Sequence, residues 1–406
     1  MALNTALSGI NAAQSDLNVI ANNIANANTA GFKGSRAEFA DIFAVTGLNL
    51  NSTAVGSGAR LQNVAQQFSQ GDIETTGQSL DLAISGNGLF AVNDGSGVTY
   101  TRAGDFQKSA DGNYVVTPSG AKLQVYSSNG AGGFDTSTLT NLQLNSAQGN
   151  AKATTLVSIT SNLPSSAAAP TAAFNPNDST TFNDATPVTV YDSQGGSHQG
   201  TVYYVKTATN SWNAHMYVDG QNAGAQPLTF DTSGNLAAPA SGKLTFNPIN
   251  LGNGSSPLAL SLNVGKTTQF GTDYSAGTVS QDGYQAGILS TIDINSKGVV
   301  TASYSNNQST QIGQIALANF GNLQGLRQIG NADWKASSDS GAAVMGSAGA
   351  GQFGTMQSGA LENSNTADTT QQLVHMIKAQ RNYQANAQVL STDNTLASSL
   401  FNAVSR

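Results

Sequence analysis

Few residues in this sequence are of types that carry chemistry, and their spacing decides what they can do. The stretch Gly349-Ala350-Gly351-Gln352-Phe353-Gly354 fits the pattern G-x-G-x-x-G. A dinucleotide site needs that pattern between a strand and a helix, with an acid about 20 residues on, so that backbone N–H groups cradle the phosphates. Here it lies in a Gly/Ala/Ser run without those neighbours, and no cofactor is expected. The three histidines are dispersed: His198 in a Gly-Gly-Ser loop, His215 alternating along a strand, His375 on the last helix. None forms an H-x-x-x-H pair or sits in a cluster of acids, so no metal site is expected. Asp282 and Asp293 are separated by apolar sequence and read as turn or strand-face residues rather than a paired acid and base. With no Cys in the chain, disulfides and thiolate ligands are excluded. These residues do not point to an enzyme.

The composition points elsewhere. Of 406 residues only 10% are charged, against about 25% in an ordinary soluble protein, and 44 are Gly. Surfaces of Ser, Thr, Asn and Gln suit dense packing of subunits, because few ions are desolvated when they meet. A net charge of −7 argues against a nucleic-acid partner, which calls for a basic stripe. The first basic residue is Lys33, no apolar run of signal-peptide length precedes it, and no segment approaches the roughly 20 apolar residues of a membrane span. The chain is therefore expected to be cytosolic, or to leave the cell by a route that reads no cleavable signal, without membrane insertion.

The elements that position these residues are helical at both ends and sheet between. Over residues 1–30, Leu3, Ile10, Leu17 and Ile24 recur every seventh position, and Ala6, Leu7, Ala13, Ile20 and Ala27 fill the same face. That heptad stripe predicts a helix that Gly31 ends. Its other face carries Asn, Gln, Ser and Thr rather than Lys and Glu, as if both faces were covered. Residues 31–70 read as transitional, with Phe39, Ile42 and Phe43 anchoring a short helical turn. From Gly71 the period falls to two, and Asn87-Gly88, Asp94-Gly95, Asp111-Gly112 and, later, Lys297-Gly298 mark turns between strands. Residues 161–181 read as a linker or long loop, followed by short strands of sandwich or barrel type. A last helix is predicted over 366–405, capped by Asn365 or Thr366, with Asp368 in its first turn. Met376, Tyr383, Leu390, Ala397 and Val404 repeat every seven along it, with Leu373, Ala387 and Phe401 on the neighbouring seam. The fold class is thus mixed and mainly β: two sandwich- or barrel-like β domains, with terminal helices that pair as a coiled coil in a polymer. The expected domains are 1–30 with 366–406 (helical), 31–70 with 356–365 (connecting), 71–148 with 286–355 (first β domain) and 149–285 (second, outer β domain).

Four blocks then identify a family. Asn22-Asn23-Ile24-Ala25-Asn26-Ala27-Asn28-Thr29-Ala30-Gly31-Phe32-Lys33 resembles the N-terminal signature of the flagellar rod and hook proteins, the axial family. Tyr100-Thr101-Arg102-Ala103-Gly104-Asp105-Phe106 is similar to their next shared block, and Gly359-Ala360-Leu361-Glu362-Asn363-Ser364-Asn365 to the block before their last helix. Met376 to Gln388, with Gln380-Arg381-Asn382-Tyr383-Gln384 at its centre, is similar to that helix itself. Rod members look shorter and usually read Gln-Arg-Ala-Tyr-Glu there, and Tyr304 to Gln308 with Gly313 to Phe320 also resembles the hook branch, so hook outranks distal rod. Two departures stand out: Asn307 where Gly is common, a change that a left-handed turn tolerates, and Thr366-Ala367 where Val-Asp is usual.

The resemblance implies a non-enzymatic subunit of a short curved tube that passes torque from rod to filament. It also implies the partners: further copies of itself, a distal rod protein, a hook–filament junction protein, a hook cap and the flagellar type III export apparatus. The location implied is the extracellular flagellum. Leu3, Leu7, Ile10, Leu17, Ile24, Leu373, Met376, Ile377, Tyr383, Leu390 and Phe401 are the expected self-assembly interface. Asn23, Asn26, Gly31, Phe32, Gln380 and Arg381 are the family-motif residues. The reading from a different class, a secreted β-rich adhesin or enzyme, requires a catalytic cluster or binding patch that the sequence does not display.

Overall fold

The first helix, α1, runs Ala2–Ala25 and stops five residues short of the expected end. Its Asn-rich tail is the cause: Asn26 Nδ2 donates to the carbonyl of Asn22 at 3.0 Å, and the N–H of Ala27 reaches back only to Ile24. Side chains that compete for backbone carbonyls unwind the last turn. The computed structural model describes residues 2–42, 56–130, 132–144 and 150–404.

The expected helical turn around Phe39 and Ile42 is not formed. Ser35–Asp41 is a strand, paired antiparallel with Ala59–Gln66 in a register from Ser35↔Gln66 to Asp41↔Ala59, with a bulge at Glu38/Phe39. Ile42 follows that strand; Phe43 lies outside the described residues. A partner strand outweighs the weak local preference of a seven-residue segment.

The chain folds as two compact units, one of Met1–Ser146, Ile292–Ala302 and Thr310–Arg406, the other of Ala147–Thr291 and Ser303–Ser309. In the first, Leu89–Asn93 and Val98–Thr101 form a hairpin around Asp94-Gly95, and Gln107–Lys108 and Val115–Val116 one around Asp111-Gly112. Lys297-Gly298 turns Leu289–Ile294 into Val299–Tyr304, its neighbour in the sheet. Asn87-Gly88, in contrast, is not a hairpin turn. Leu82–Ser85 pairs with Thr355–Ser358, while Leu89–Asn93 pairs elsewhere. The corner is held by Arg102, whose guanidinium takes the carbonyls of Ile84, Gly86 and Gly88. Trp334 is fully buried in one core of this unit, which also holds Phe320 packed edge-on to Tyr100 at 4.8 Å. Its indole N–H donates to Gln66 Oε1 at 2.6 Å.

The second unit has a five-stranded antiparallel sheet, Asp184–Tyr191, Ser197–Ala208, Ser211–Val218, Gln221–Phe230 and Leu236–Ala238 in spatial order. A four-stranded sheet, Lys243–Thr245, Ser261–Asn263, Leu156–Asn162 and Ser275–Gln281, supplies the other side of one shared core. Alternation does the sorting. Along Ser211–Val218 every second residue, Trp212, Ala214, Met216 and Val218, is buried. Strand begins earlier than the expected linker, and Leu163 within that linker is fully buried. The rest of the linker is mostly exposed and is pinned where Phe174 stacks on His215 with ring centroids 4.0 Å apart.

The last helix, α2, spans Thr369–Val404, 36 residues or about 54 Å. It begins later than expected because Asp368 is its cap, with Oδ1 accepting the N–H groups of Thr370 and Gln371 at 3.1 and 3.2 Å. Among the described residues no helix is long and apolar enough to cross a membrane.

Candidate assembly interface

Helices α1 and α2 pack antiparallel within the first unit. Asn23 of α1 meets Thr366 just ahead of α2, Asp16 feels the charges of His375 and Lys378, and Gly9 lies against Asn386. A Cβ on Gly9 would come within 2.5 Å of the Asn386 Oδ1 atom. Burial pushes the Asp16 carboxyl up and outweighs the opposing effect of His375 and Lys378, as expected between two helices.

The seam between the helices is narrow. On α1 it buries Ala6, Ala13 and Ile20, with Ala27 beyond the helix end continuing the sevenfold spacing; on α2 it buries Ala379. Of the sequence-predicted residues, Ile10, Leu17, Ile24, Met376 and Leu390 are half-buried. Leu3, Leu7, Leu373, Ile377, Tyr383 and Phe401 are exposed, up to 78% at Phe401. Alanines and Ile20 form the buried contact within the chain, and most of the large apolar residues are only half-covered or stand outside it. Sequence reasoning did not single out Val374, Val389, Leu396 and Leu400, which are exposed on the same helix. They fall off the strict sevenfold repeat, and their apolar character was the one available signal. With Gly9 opposite Asn386, Ala2 stands opposite about residue 393, so the last turns of α2 run past α1.

The root of the helix pair is tightly built. Asn23 is buried and exchanges two hydrogen bonds with the backbone of Ser35, at 2.8 and 2.9 Å. Thr366 Oγ1 donates to the Asn23 carbonyl at 3.0 Å, and Asn365 Oδ1 accepts from Gly34 N at 2.7 Å. Thus Asn365 and Thr366, expected as helix caps, instead fasten the two chain ends together. Gly31 has φ 66° and its N–H donates to the Glu362 carbonyl at 2.8 Å. A side chain there would collide with the backbone of Ala103. Phe32 is buried beside it, Asn26 closes the turn after α1, and Gln380 and Arg381 are exposed on α2.

At the centre of this root lies a buried ion triad. The Glu362 carboxylate, inaccessible to solvent, takes Lys33 Nζ on Oε1 at 2.6 Å and Arg102 Nε on Oε2. Gly71 N also donates to Oε1, at 2.9 Å, and Lys33 reaches the Ser69 carbonyl at 2.8 Å. Burial holds the Lys33 ammonium below its ordinary value, opposed by Glu362. Lys33, Arg102 and Glu362 come from three of the four sequence blocks that carry the family resemblance. Their convergence was invisible in sequence because the ion pairs span 329 and 260 positions.

The Gly349–Gly354 stretch forms a turn between the strands Val344–Ser347 and Thr355–Ser358, with no helix after it. Among the described residues no group of three or more His, Cys, Asp or Glu is placed to hold a metal ion.

Residues 3–33 match the family described as flagella basal body rod protein, and 357–403 the flagellar basal body rod FlgEFG protein C-terminal family. Between them, 83–162 match the flagellar hook protein FlgE/F/G D1 domain and 162–284 the flagellar basal body protein FlaE D2 domain. The flagellar hook protein FlgE of Escherichia coli K12 is 39% identical over 99% of this chain and 100% of its own length. The chain belongs to the flagellar hook protein family. Another hook relative, FlgE of Salmonella typhimurium, is 38% identical over 99% of this chain and 100% of its own. A solved hook protein, Helicobacter pylori FlgE2, superposes with a TM-score of 0.46 at 15% identity, covering 70% of this chain and 99% of that one. The hook assignment rests on the sequence relatives. The ends that match the rod-type families are the two helices and their root, so the hook family shares with rod proteins the part of this chain that leaves its apolar side chains uncovered.

Proposed function

We propose that this chain is the structural subunit of the bacterial flagellar hook and assembles through α1 and α2 into a curved, flexible tube that transmits torque from rod to filament. The observation that carries this reading is the bareness of α2: among its described side chains only Ala379 is buried, while Leu373, Ile377, Leu396, Leu400 and Phe401 stand exposed. Such side chains gain about 1.5–3 kcal/mol each when fully covered, and many copies of one helix pair supply each other's cover. The interface of this proposal consists of Leu3, Leu7, Ile10, Leu17 and Ile24 on α1 with Leu373, Met376, Ile377, Tyr383, Leu390 and Phe401 on α2. The helical ends, 1–30 with 366–406, form the inner tube, and the β domains (71–148 with 286–355, and 149–285) carry the contacts that change on bending. The apolar seams keep their register while the uncharged polar surfaces slide.

The partners of this reading are further copies of the chain, a distal rod protein, a hook–filament junction protein, a hook cap and the type III export apparatus. The role is mechanical and calls for no catalysis. Negative-stain imaging of the concentrated full-length protein tests it: curved tubes support the hook, straight stiff rods support a distal rod subunit, and discrete particles at every concentration refute both.

A further inference from the structure

One end of the second unit's five-stranded sheet carries a histidine between two carboxylates. His198 sits at the start of the strand Ser197–Ala208 and is partly buried, its side chain 12% exposed. Its Nδ1 lies 2.5 Å from Asp219 Oδ2 in the turn after Ser211–Val218. Its Nε2 lies 3.2 Å from Asp192 Oδ2 in the turn after Asp184–Tyr191. Both carboxylates are anchored independently of the ring. Asp192 accepts the N–H groups of Gln194 and Gly196 on Oδ1, at 2.9 and 2.7 Å, and Asn253 Nδ2 on Oδ2 at 2.6 Å. Asp219 accepts Gln199 N on Oδ1 at 3.0 Å. The ring therefore joins three loops: 192–196, the turn at 219–220, and, through Asp192, the loop that holds Asn253.

A neutral imidazole has one N–H and one lone pair. Between two anchored acceptors, its lone pair would face a carboxylate oxygen. Both contacts are favourable together only when the ring is the doubly protonated cation.

We propose that His198 is a pH-operated bolt, closed as the imidazolium between Asp192 and Asp219 and released on the Asp192 or the Asp219 side when it loses its proton. Among the described residues, Asp192 and Asp219 are the charged groups that act on it. Burial alone would lower the imidazole's pKa, but the hydrogen bonds it donates to Asp219 and Asp192, with their charges, outweigh it and hold it above 6.5. Burial pushes Asp192 up, yet its hydrogen bonds from His198, Asn253 and the two backbone N–H groups bring it down to about 2. Asp192 thus stays ionised wherever His198 titrates. The sign follows: because the folded-state value is raised, the bolt's stabilisation is complete below 6.5 and is lost as pH rises through the folded value.

The chain has three histidines, so the full-length protein labelled with 15N-histidine gives a resolvable titration. The ring of His198, assigned with the His198→Gln variant, should titrate above 6.5, and Asp219→Asn should move it down. The melting transition of the second unit should fall over that same pH range in the unaltered protein and lie flat in His198→Gln. A His198 ring that titrates at or below 6.5 would overturn the proposal. So would an Asp219→Asn protein whose ring titrates unchanged, or a melting curve with the same pH dependence in His198→Gln. Should that variant fail to fold, the ring is assigned by elimination with His215→Gln and His375→Gln, and its titration in the unaltered protein decides alone.

Discussion

The second unit and the terminal helix pair treat large apolar side chains in opposite ways. In the former, Trp212, Tyr204 and Met216 point inward from alternating strand positions and vanish into one core. In the latter, alanines and Ile20 make the internal contact while Leu7, Leu396, Leu400 and Phe401 remain outside. One is a finished object; the other is half of a contact. A sheet with one buried face satisfies its pattern within a single chain. Two helices bury one stripe each, so a pair whose apolar residues exceed that stripe has surface left for other copies.

Trp212→Ala should give the largest effect and test how far the second unit is self-contained. Loss of the indole, with its N–H bond to Gln269 Oε1 at 3.0 Å, should cost about 3–5 kcal/mol. Calorimetry should show that loss in the second unit's transition while helical circular dichroism stays unchanged. Simultaneous loss of helix and sheet would end the contrast.

Glu362→Gln should cost about 3 kcal/mol, because removing one partner strands buried charge, here the cations of Lys33 and Arg102. Gln retains one acceptor, which keeps the effect below that of outright truncation. Chemical denaturation of the first unit measures it. An effect below about 0.5 kcal/mol, the size of an ordinary surface substitution, would mean that the triad does not hold the helix root.

Smaller for the monomer, and decisive for assembly, are Leu17→Asp and Leu390→Asp. Each puts a carboxylate at a half-buried helix position, at about 1–3 kcal/mol if it stays unpaired. The β units should melt as before, and sedimentation should show no tubes. Tubes and motility at the level of the unaltered protein would remove these residues from the interface.

How much of this was legible beforehand depended on the range of the interactions. The heptads announced both helices, because a helix is written in positions three and four apart. Asp94-Gly95 and Asp111-Gly112 announced their hairpins for the same reason. Asn307 indeed adopts φ 60° in a turn closed by the Tyr304 N–H and the Gln308 carbonyl. Asn87-Gly88 misled because its neighbours' partners are distant strands, the Asn87 carbonyl accepts from Gly354 N and the Gly88 carbonyl from Arg102. The strand at Ser35–Asp41 was missed because its pairing to Ala59–Gln66 lies across a gap that no local pattern bridges. Lys33, Arg102 and Glu362 each stood inside a recognised block, yet their meeting is a property of the fold. The cap moved from Asn365 or Thr366 to Asp368 because the first two side chains were already engaged with Gly34 and Asn23.

Phe401→Ser should leave the monomer almost unchanged and so sharpen the comparison most. The ring is 78% exposed, and the antiparallel register leaves it beyond the end of α1. Exposed substitutions of this kind stay within about 0.5 kcal/mol, whereas a change at Trp212 does not. In the assembled state the same ring should be covered, and its loss should raise the concentration needed for tubes. At about 1.5–3 kcal/mol for a buried Phe, the critical concentration should rise at least about tenfold. Hydrogen exchange gives an independent reading. In the monomer, amides of Leu396–Ala403 should exchange far faster than those of Ile20–Asn23, because a helical end without packing frays. In tubes the two should become comparable. Equal protection of both segments in a verified monomer would mean that something within the single chain covers the end of α2, and the division between a finished and an unfinished region would be wrong.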